Sequence, residues 1–105
     1  MNITKKNMPE TMYRASRCCR VLGNPTAYLI LRRLDLKRDT PGGLSKKLHI
    51  PISTVSMTLR HLRQLDLVRY ETRGSTKEYW VKEKRVMEVL NLLERLVEEI
   101  REKKE

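Results

Sequence analysis

The sequence lacks any hydrophobic run of about 18 residues, the minimum for a helix that crosses a membrane. Its first residues, MNITKKNMPE, do not contain the apolar stretch of a signal peptide, so export is not expected. The only cysteines, Cys18 and Cys19, are adjacent and cannot form the disulfide framework of a small secreted protein. These absences favour a cytoplasmic protein in a reducing environment, with no membrane partner.

Groups of residues typical of catalytic sites are also absent. There is no glycine-rich phosphate-binding loop, no pair of carboxylates in an apolar setting, and no nucleophile beside a suitable base. The two histidines, His49 and His61, have no Cys, Asp or His at ligand spacing, so we interpret both as structural. The sequence therefore predicts that the protein is not an enzyme and has no resident metal or cofactor.

Acidic residues are few, and the charge balance indicates a polyanionic partner. The 105 residues, which we expect to form a single domain (1–105), carry 23 Lys and Arg against 13 Asp and Glu, a net charge of +10. The excess lies in residues 1–40 (9 basic, 3 acidic) and 41–85 (10 basic, 4 acidic), whereas residues 86–105 have 4 basic and 6 acidic. Basic side chains that neutralise phosphates release counterions, which favours nucleic-acid binding. A basic protein with no nucleic-acid partner remains the alternative.

Hydrophobic spacing predicts three helices in the first half of the chain. The first covers residues 8–22, and Gly23 ends it. The second begins at Asn24 and Pro25, a good N-cap followed by proline at the first helical position. Its predicted buried side chains are Leu29, Ile30 and Leu34. After a break at KRDTPGG, residues 44–50 are predicted to form a short helix.

The second half of the chain predicts a helix, a hairpin and a long helix. Pro51 places a turn at His49 and Ile50, and a helix follows from residue 52. Its predicted buried stripe is Ile52, Val55, Leu59 and Leu62, opposite Ser53, Thr54, Met57, Arg60, His61 and Gln64. Residues 67–81 alternate around Gly74 as in a β-hairpin, and a helix with near-heptad apolar spacing follows from Lys82. This order, mostly α with a β-hairpin wing, predicts a winged helix–turn–helix fold.

Three segments resemble the ArsR/SmtB family of bacterial and archaeal transcriptional repressors. LGNPTAYLILRRL is similar to the segment that opens the family's second helix, STVSMTLRHLRQLDLV to its recognition helix, and RGSTKEYWV to its wing. The resemblance covers roughly residues 20–81 and implies a DNA-binding repressor.

Several positions depart from the family pattern. Ala27 replaces an arginine, Met57 and Thr58 replace a basic or polar residue and a histidine, and Asp66 replaces a glycine, which Asp can tolerate in the left-handed conformation. The family's metal ligands are also absent, because PGGLSKKL has no cysteine and residues 82–105 have no histidine.

The predicted DNA-binding residues lie on three elements. A recognition helix enters the major groove by its first half, where small hydroxyl side chains allow close approach. We therefore expect DNA contacts from Ser53, Thr54, Ser56, Met57 and Arg60, from the wing residues Arg73 and Lys77, and from Lys46 on the preceding helix. Lys47, beside it, is equally a candidate for a phosphate contact, and the alternative for both lysines is a solvated side chain.

The two cysteines leave two interpretations open. Cys19 shares the apolar stripe of the first helix and is predicted to be in the core, with Cys18 at its margin. Alternatively, both thiols respond to an effector, a thiophilic metal or metalloid or an oxidant. Arg14, Arg17 and Arg20 are expected to lower the thiol pKa and favour that reactivity.

The first and last helices are predicted to form a homodimer. The expected interface residues are Met12, Ala15, Cys19, Val89, Leu93, Leu96 and Ile100, because the last helix has more apolar positions than one small domain can cover. The predicted function is sequence-specific binding of a pseudo-palindromic operator, as a repressor. The alternative is an interaction module that binds acidic proteins, or nucleic acid without sequence preference.

Overall fold

The computed structural model describes residues 7–104. Within this range the chain forms five helices and one two-stranded antiparallel sheet, which confirms the predicted winged helix–turn–helix order. The elements are α1 (Glu10–Leu22), α2 (Pro25–Leu36), α3 (Pro41–Leu48), α4 (Ile52–Gln64), β1 (Val68–Arg73), β2 (Thr76–Val81) and α5 (Arg85–Lys104). None of these helices is both long and apolar enough to cross a membrane.

Helix α2 lies at the centre of the core. The side chain of Asn24 accepts hydrogen bonds from the backbone N–H groups of Thr26 and Ala27, so the predicted N-cap is confirmed. The buried face consists of Ala27, Ile30, Leu31 and Leu34. The prediction that Leu29 is buried is wrong, because Leu29 lies about half a turn away from this face and is 47% exposed.

Helix α3 starts earlier than predicted, at Pro41 rather than at residue 44. Thr40 caps it by accepting a 3.0 Å hydrogen bond from the Gly43 N–H, so the two glycines belong to the first turn instead of the preceding break. The predicted turn after α3 is confirmed. His49 is left-handed, with φ of 56°, and Ser45 donates its hydroxyl to the Ile50 carbonyl at 2.6 Å.

Helix α4 buries Val55, Thr58, Leu59 and Leu62 against the core. Thr58 is accommodated there because its hydroxyl donates to the Thr54 carbonyl at 2.8 Å. The prediction that Ile52 is buried is wrong. Ile52 is 54% exposed, since it lies at the first turn, beyond the core and beside Gly42 of α3.

The wing is a hairpin in which Val68 pairs with Val81 and Arg73 with Thr76. Gly74, the first residue of its two-residue turn, has φ of 62°, which favours glycine. Asp39 extends the sheet through two backbone hydrogen bonds to Tyr79. Asp66 precedes the wing with φ of 64°, so the left-handed conformation expected there is confirmed.

Helix α5 begins at Arg85, later than the predicted Lys82, because the backbone N–H groups of Lys82 and Glu83 donate instead to the Leu67 carbonyl. Val86, Met87 and Leu90 join the core. Every described residue after Leu90 is exposed, so the second half of α5 extends away from the domain.

Candidate nucleic-acid interface

The solvent-facing side of α4 presents a mixed polar and apolar surface. Ser53, Met57, Arg60 and Gln64 recur at helical spacing and are exposed, opposite the buried stripe. Thr54 and Ser56, on the two flanks, are half-buried, so they face the groove less fully than predicted. The first half of this face carries no acidic residue, which suits an approach to a phosphate backbone.

Basic side chains from α4 and the wing meet around one tyrosine. The Lys77 ammonium lies 4.8 Å from the centre of the Tyr70 ring, and the Arg63 guanidinium lies 5.5 Å from it. Tyr70 packs on buried Tyr79, with ring centres 5.1 Å apart. Burial raises the pKa of Tyr79, an effect that the nearby Arg60 and Arg63 partly oppose. We call these three residues, Arg63, Tyr70 and Lys77, the inner wing cluster.

Arg73 lies on the opposite side of the wing from Lys77. Successive strand residues face alternate sides, and Lys77 pairs with Thr72 while Arg73 pairs with Thr76. The Arg73 guanidinium lies 3.4 Å from Glu71 and 3.8 Å from Glu78, and Arg38 shares both carboxylates. The two predicted wing contacts are therefore not equivalent, because only Arg73 is already paired with carboxylates.

The two lysines of α3 also differ. The Lys47 ammonium binds Asp39 at 2.6 Å, and that carboxylate is largely buried. Lys46 is exposed and has no ion pair within the part of the chain that the structure describes. Lys46 is therefore the lysine of this pair that is available to a phosphate.

The cysteines on α1 are arranged in the reverse of the predicted way. Cys19 is exposed, whereas Cys18 is half-buried and packs against the core. Adjacent residues point about 100° apart on a helix, and the stripe that contacts the core runs through Cys18 and Leu22. The expected lowering of the thiol pKa is wrong for Cys18, since burial and the neighbouring Cys19 raise it.

The side chains predicted for the dimer interface are exposed on the single chain. They are Met12, Ala15 and Cys19 on α1 and Val89, Leu93, Leu96 and Ile100 on α5. Leu92 and Val97 are exposed as well. Within residues 7–104, no group of three or more His, Cys, Asp and Glu side chains could hold a metal.

Sequence reasoning missed two features of this region. Tyr70 and Arg63 were not predicted as part of the site, although strand alternation places Tyr70 on the same face as Lys77. The second is a network that ties α5 to α2, in which Glu94 accepts from the Tyr28 hydroxyl and pairs with Arg32, while Arg32 donates to Asn91 at 2.9 Å. The hydrogen bond from Tyr28, followed by that from Arg32, lowers the pKa of Glu94. No local pattern links residues so distant in sequence.

Neither a family model nor a curated protein matches the sequence, but solved structures match the fold closely. NolR from Sinorhizobium fredii is 25% identical, with a TM-score of 0.78 over 91% of this chain and 95% of NolR. HlyU from Vibrio vulnificus, a transcriptional regulator, is 26% identical, with a TM-score of 0.68 over 90% of this chain and 98% of HlyU.

A third structure is described as a homodimeric winged helix-turn-helix DNA-binding domain of "a possible ArsR-family transcriptional regulator", Mb0332 from Mycobacterium bovis. It has a TM-score of 0.79 over 96% of this chain and 92% of Mb0332, and its 19% identity makes this a likeness of fold. The chain thus has the winged helix–turn–helix fold that its sequence predicts, and the solved structures that it resembles include the transcriptional regulator HlyU and Mb0332, a possible ArsR-family regulator.

Proposed function

We propose that this protein is a cytoplasmic transcriptional repressor that binds a pseudo-palindromic DNA operator as a homodimer. The observation that carries the proposal is the joint placement of the exposed face of α4 and the inner wing cluster. A helix face with Ser53, Met57 and Arg60 suits the major groove, where arginine pairs with guanine and apolar groups contact the thymine methyl. Lys77 and Lys46 flank that helix with cations for the phosphates.

The dimer is part of the same proposal. The apolar side chains of α5 beyond Leu90 are exposed on the single chain, and a second copy would cover them. Two-fold symmetry would then place two copies of α4 about 34 Å apart, one turn of DNA. Mb0332, which has the same fold, is described as homodimeric.

A selection from a random duplex DNA library tests this function. Wild type should enrich one sequence, and the double change Met57→Ala and Arg60→Ala should remove or alter that preference while general affinity stays. The matched control is Arg101→Ala, which removes one positive charge from α5 and should leave the enriched sequence unchanged. If wild type enriches no sequence, the protein is the interaction module described as the alternative.

The response to a thiophilic effector or an oxidant stays a prediction. Cys19 rather than Cys18 is the candidate, because its thiol is exposed on the same helix as Met12 and Ala15. Across a symmetric interface, two copies of Cys19 could bind a shared ion or form a disulfide. If Cys19→Ser abolishes a loss of operator affinity caused by arsenite or peroxide and Cys18→Ser does not, Cys19 is the sensor. If neither arsenite nor peroxide changes the affinity of wild type for the operator, this response is ruled out.

A further inference from the structure

A large cleft separates α1 from the end of α4. Its volume is about 860 Å³, within the range of sites that bind small organic molecules. One wall is α1, and the other consists of the last turn of α4 with Leu65 and Asp66. The proposed DNA contacts on α3, α4 and the wing do not line the cleft, although Gln64, at the end of the exposed α4 face, does.

The charged side chains of the cleft are mostly basic. Arg14, Arg17 and Arg20 line the α1 wall, and His61 lies across from them. The Arg14 guanidinium lies 3.2 Å from the Glu10 carboxylate. Arg17 and Arg20 have no ion pair within residues 7–104. The one acidic side chain, Asp66, lies 3.4 Å from Lys82. Two guanidinium groups of the cleft, those of Arg17 and Arg20, thus have no carboxylate partner among the described residues.

Apolar groups lie among these charges. Tyr13 and Val21 from α1 and Leu65 from the end of α4 line the same cleft. Cys18 also lines it, and because burial raises its pKa, its thiol stays neutral near neutral pH and adds to the apolar wall. A binding partner with a negative group and a compact apolar part matches both kinds of side chain.

The α1 residues of the predicted dimer face lie outside this cleft. Met12, Ala15 and Cys19 lie on another side of α1 and do not line the cleft. The α1 residues predicted to contact a second copy are therefore separate from those that line the cleft.

We propose that the cleft between α1 and α4 binds a small organic anion, with Arg17 and Arg20 holding its carboxylate and Tyr13, Val21 and Leu65 contacting its apolar part. Two guanidinium groups suit a carboxylate because each can donate two parallel hydrogen bonds. A ligand in this position touches the recognition helix through His61 and Gln64. This inference goes beyond the DNA-binding function and does not depend on it.

An NMR titration of the full chain without DNA tests the site, with benzoate as the probe and inorganic phosphate as the comparison. Benzoate should shift amide signals of residues 13–21 and 61–66 in a saturable way, and phosphate should bind more weakly because it cannot use the apolar wall. The double change Arg17→Gln and Arg20→Gln should weaken benzoate binding about tenfold or more.

The matched control is Arg33→Gln with Arg101→Gln, which removes the same charge from exposed positions outside the cleft and should leave the affinity within about twofold. The amide spectra report whether each variant is folded. Shifts that do not saturate, shifts spread over the exposed face of α5, or an equal loss in the control pair would overturn the proposal. So would phosphate binding as tight as that of benzoate, which would indicate a general anion patch.

Discussion

The two neighbouring glycines at the start of α3 have different surroundings. A Cβ atom on Gly43 would lie 2.0 Å from Oδ1 of Asp39, whereas one on Gly42 would meet only the tip of Ile52 at 4.0 Å. The Asp39 carboxylate cannot easily move away, because it accepts from the Thr40 N–H and pairs with Lys47. Gly43 is therefore required by a close approach and Gly42 is not.

We predict that Gly42→Ala raises the free energy of unfolding by about 0.5–1 kcal/mol, because alanine favours a helix over the unfolded chain. Gly43→Ala should lower it, because the new methyl group displaces the Asp39 carboxylate from its partners. Urea unfolding followed by the fluorescence of Trp80, the only tryptophan, measures both at one protein concentration. Equal effects of the two changes on the free energy of unfolding would show that the Asp39 carboxylate can move away from a new methyl group without loss of stability.

The different surroundings of Lys77 and Arg73 predict different contributions to the salt dependence of DNA binding. Lys77→Ala should reduce the salt dependence of DNA binding by about 0.9 in the log–log slope, the effect of losing one phosphate contact. Arg73→Ala should reduce the slope less, since its guanidinium is already near Glu71 and Glu78. Fluorescence anisotropy over a series of salt concentrations measures both slopes. A larger change for Arg73 would mean that the outer side of the wing contacts the backbone instead.

At the scale of the elements, periodicity predicted the helices and the hairpin because each has one face on the core. It failed where an element ends or leaves the core: α3 begins within the glycines because Thr40 caps it, and Ile52 lies beyond the packed surface. The burial of the two cysteines was predicted in the wrong order, because the apolar spacing on α1 is compatible with a buried stripe through either Cys18 or Cys19. The predicted DNA-binding residues lie on the expected elements, but the pairing of Arg73 and Lys47 with carboxylates depends on tertiary contacts.

The network between α2 and α5 predicts a pH dependence. The folded-state pKa of Glu94 lies below its ordinary value of 4.5, so its ionised form stabilises the fold above that value. The contribution is lost as the pH falls through the lowered pKa. Glu94→Gln should therefore lower the melting temperature at pH 7, and this difference from wild type should vanish in acid.

The control for this prediction is Glu98→Gln, one helical turn further along α5, where the side chain is exposed and has no ion pair among the described residues. Melting temperatures of all three proteins at one concentration, over a pH series from 7 down through the lowered pKa of Glu94, give the comparison. A loss for Glu94→Gln that does not shrink along this series would mean that the charge of Glu94 is not what ties α5 to α2.

For the whole molecule, the exposed apolar half of α5 predicts a dimer. Leu93→Glu combined with Leu96→Glu should give a monomer at micromolar concentration, because a symmetric interface would bury four carboxylates. The control, Glu102→Gln, changes the charge of α5 outside these positions and should stay dimeric. Sedimentation equilibrium measures the masses, and a wild-type monomer at that concentration would remove the dimer from the proposal.

The central claim is that two linked copies of α4 read one DNA site, and a change in the spacing of that site tests it most directly. The measurement is the affinity of wild type for its enriched operator, with and without five base pairs inserted at the centre. Because five base pairs rotate one half-site to the opposite side of the duplex, we predict that the affinity falls about tenfold or more, towards that of random DNA. Unchanged affinity for the inserted operator would contradict the account, since each copy of α4 would then bind independently.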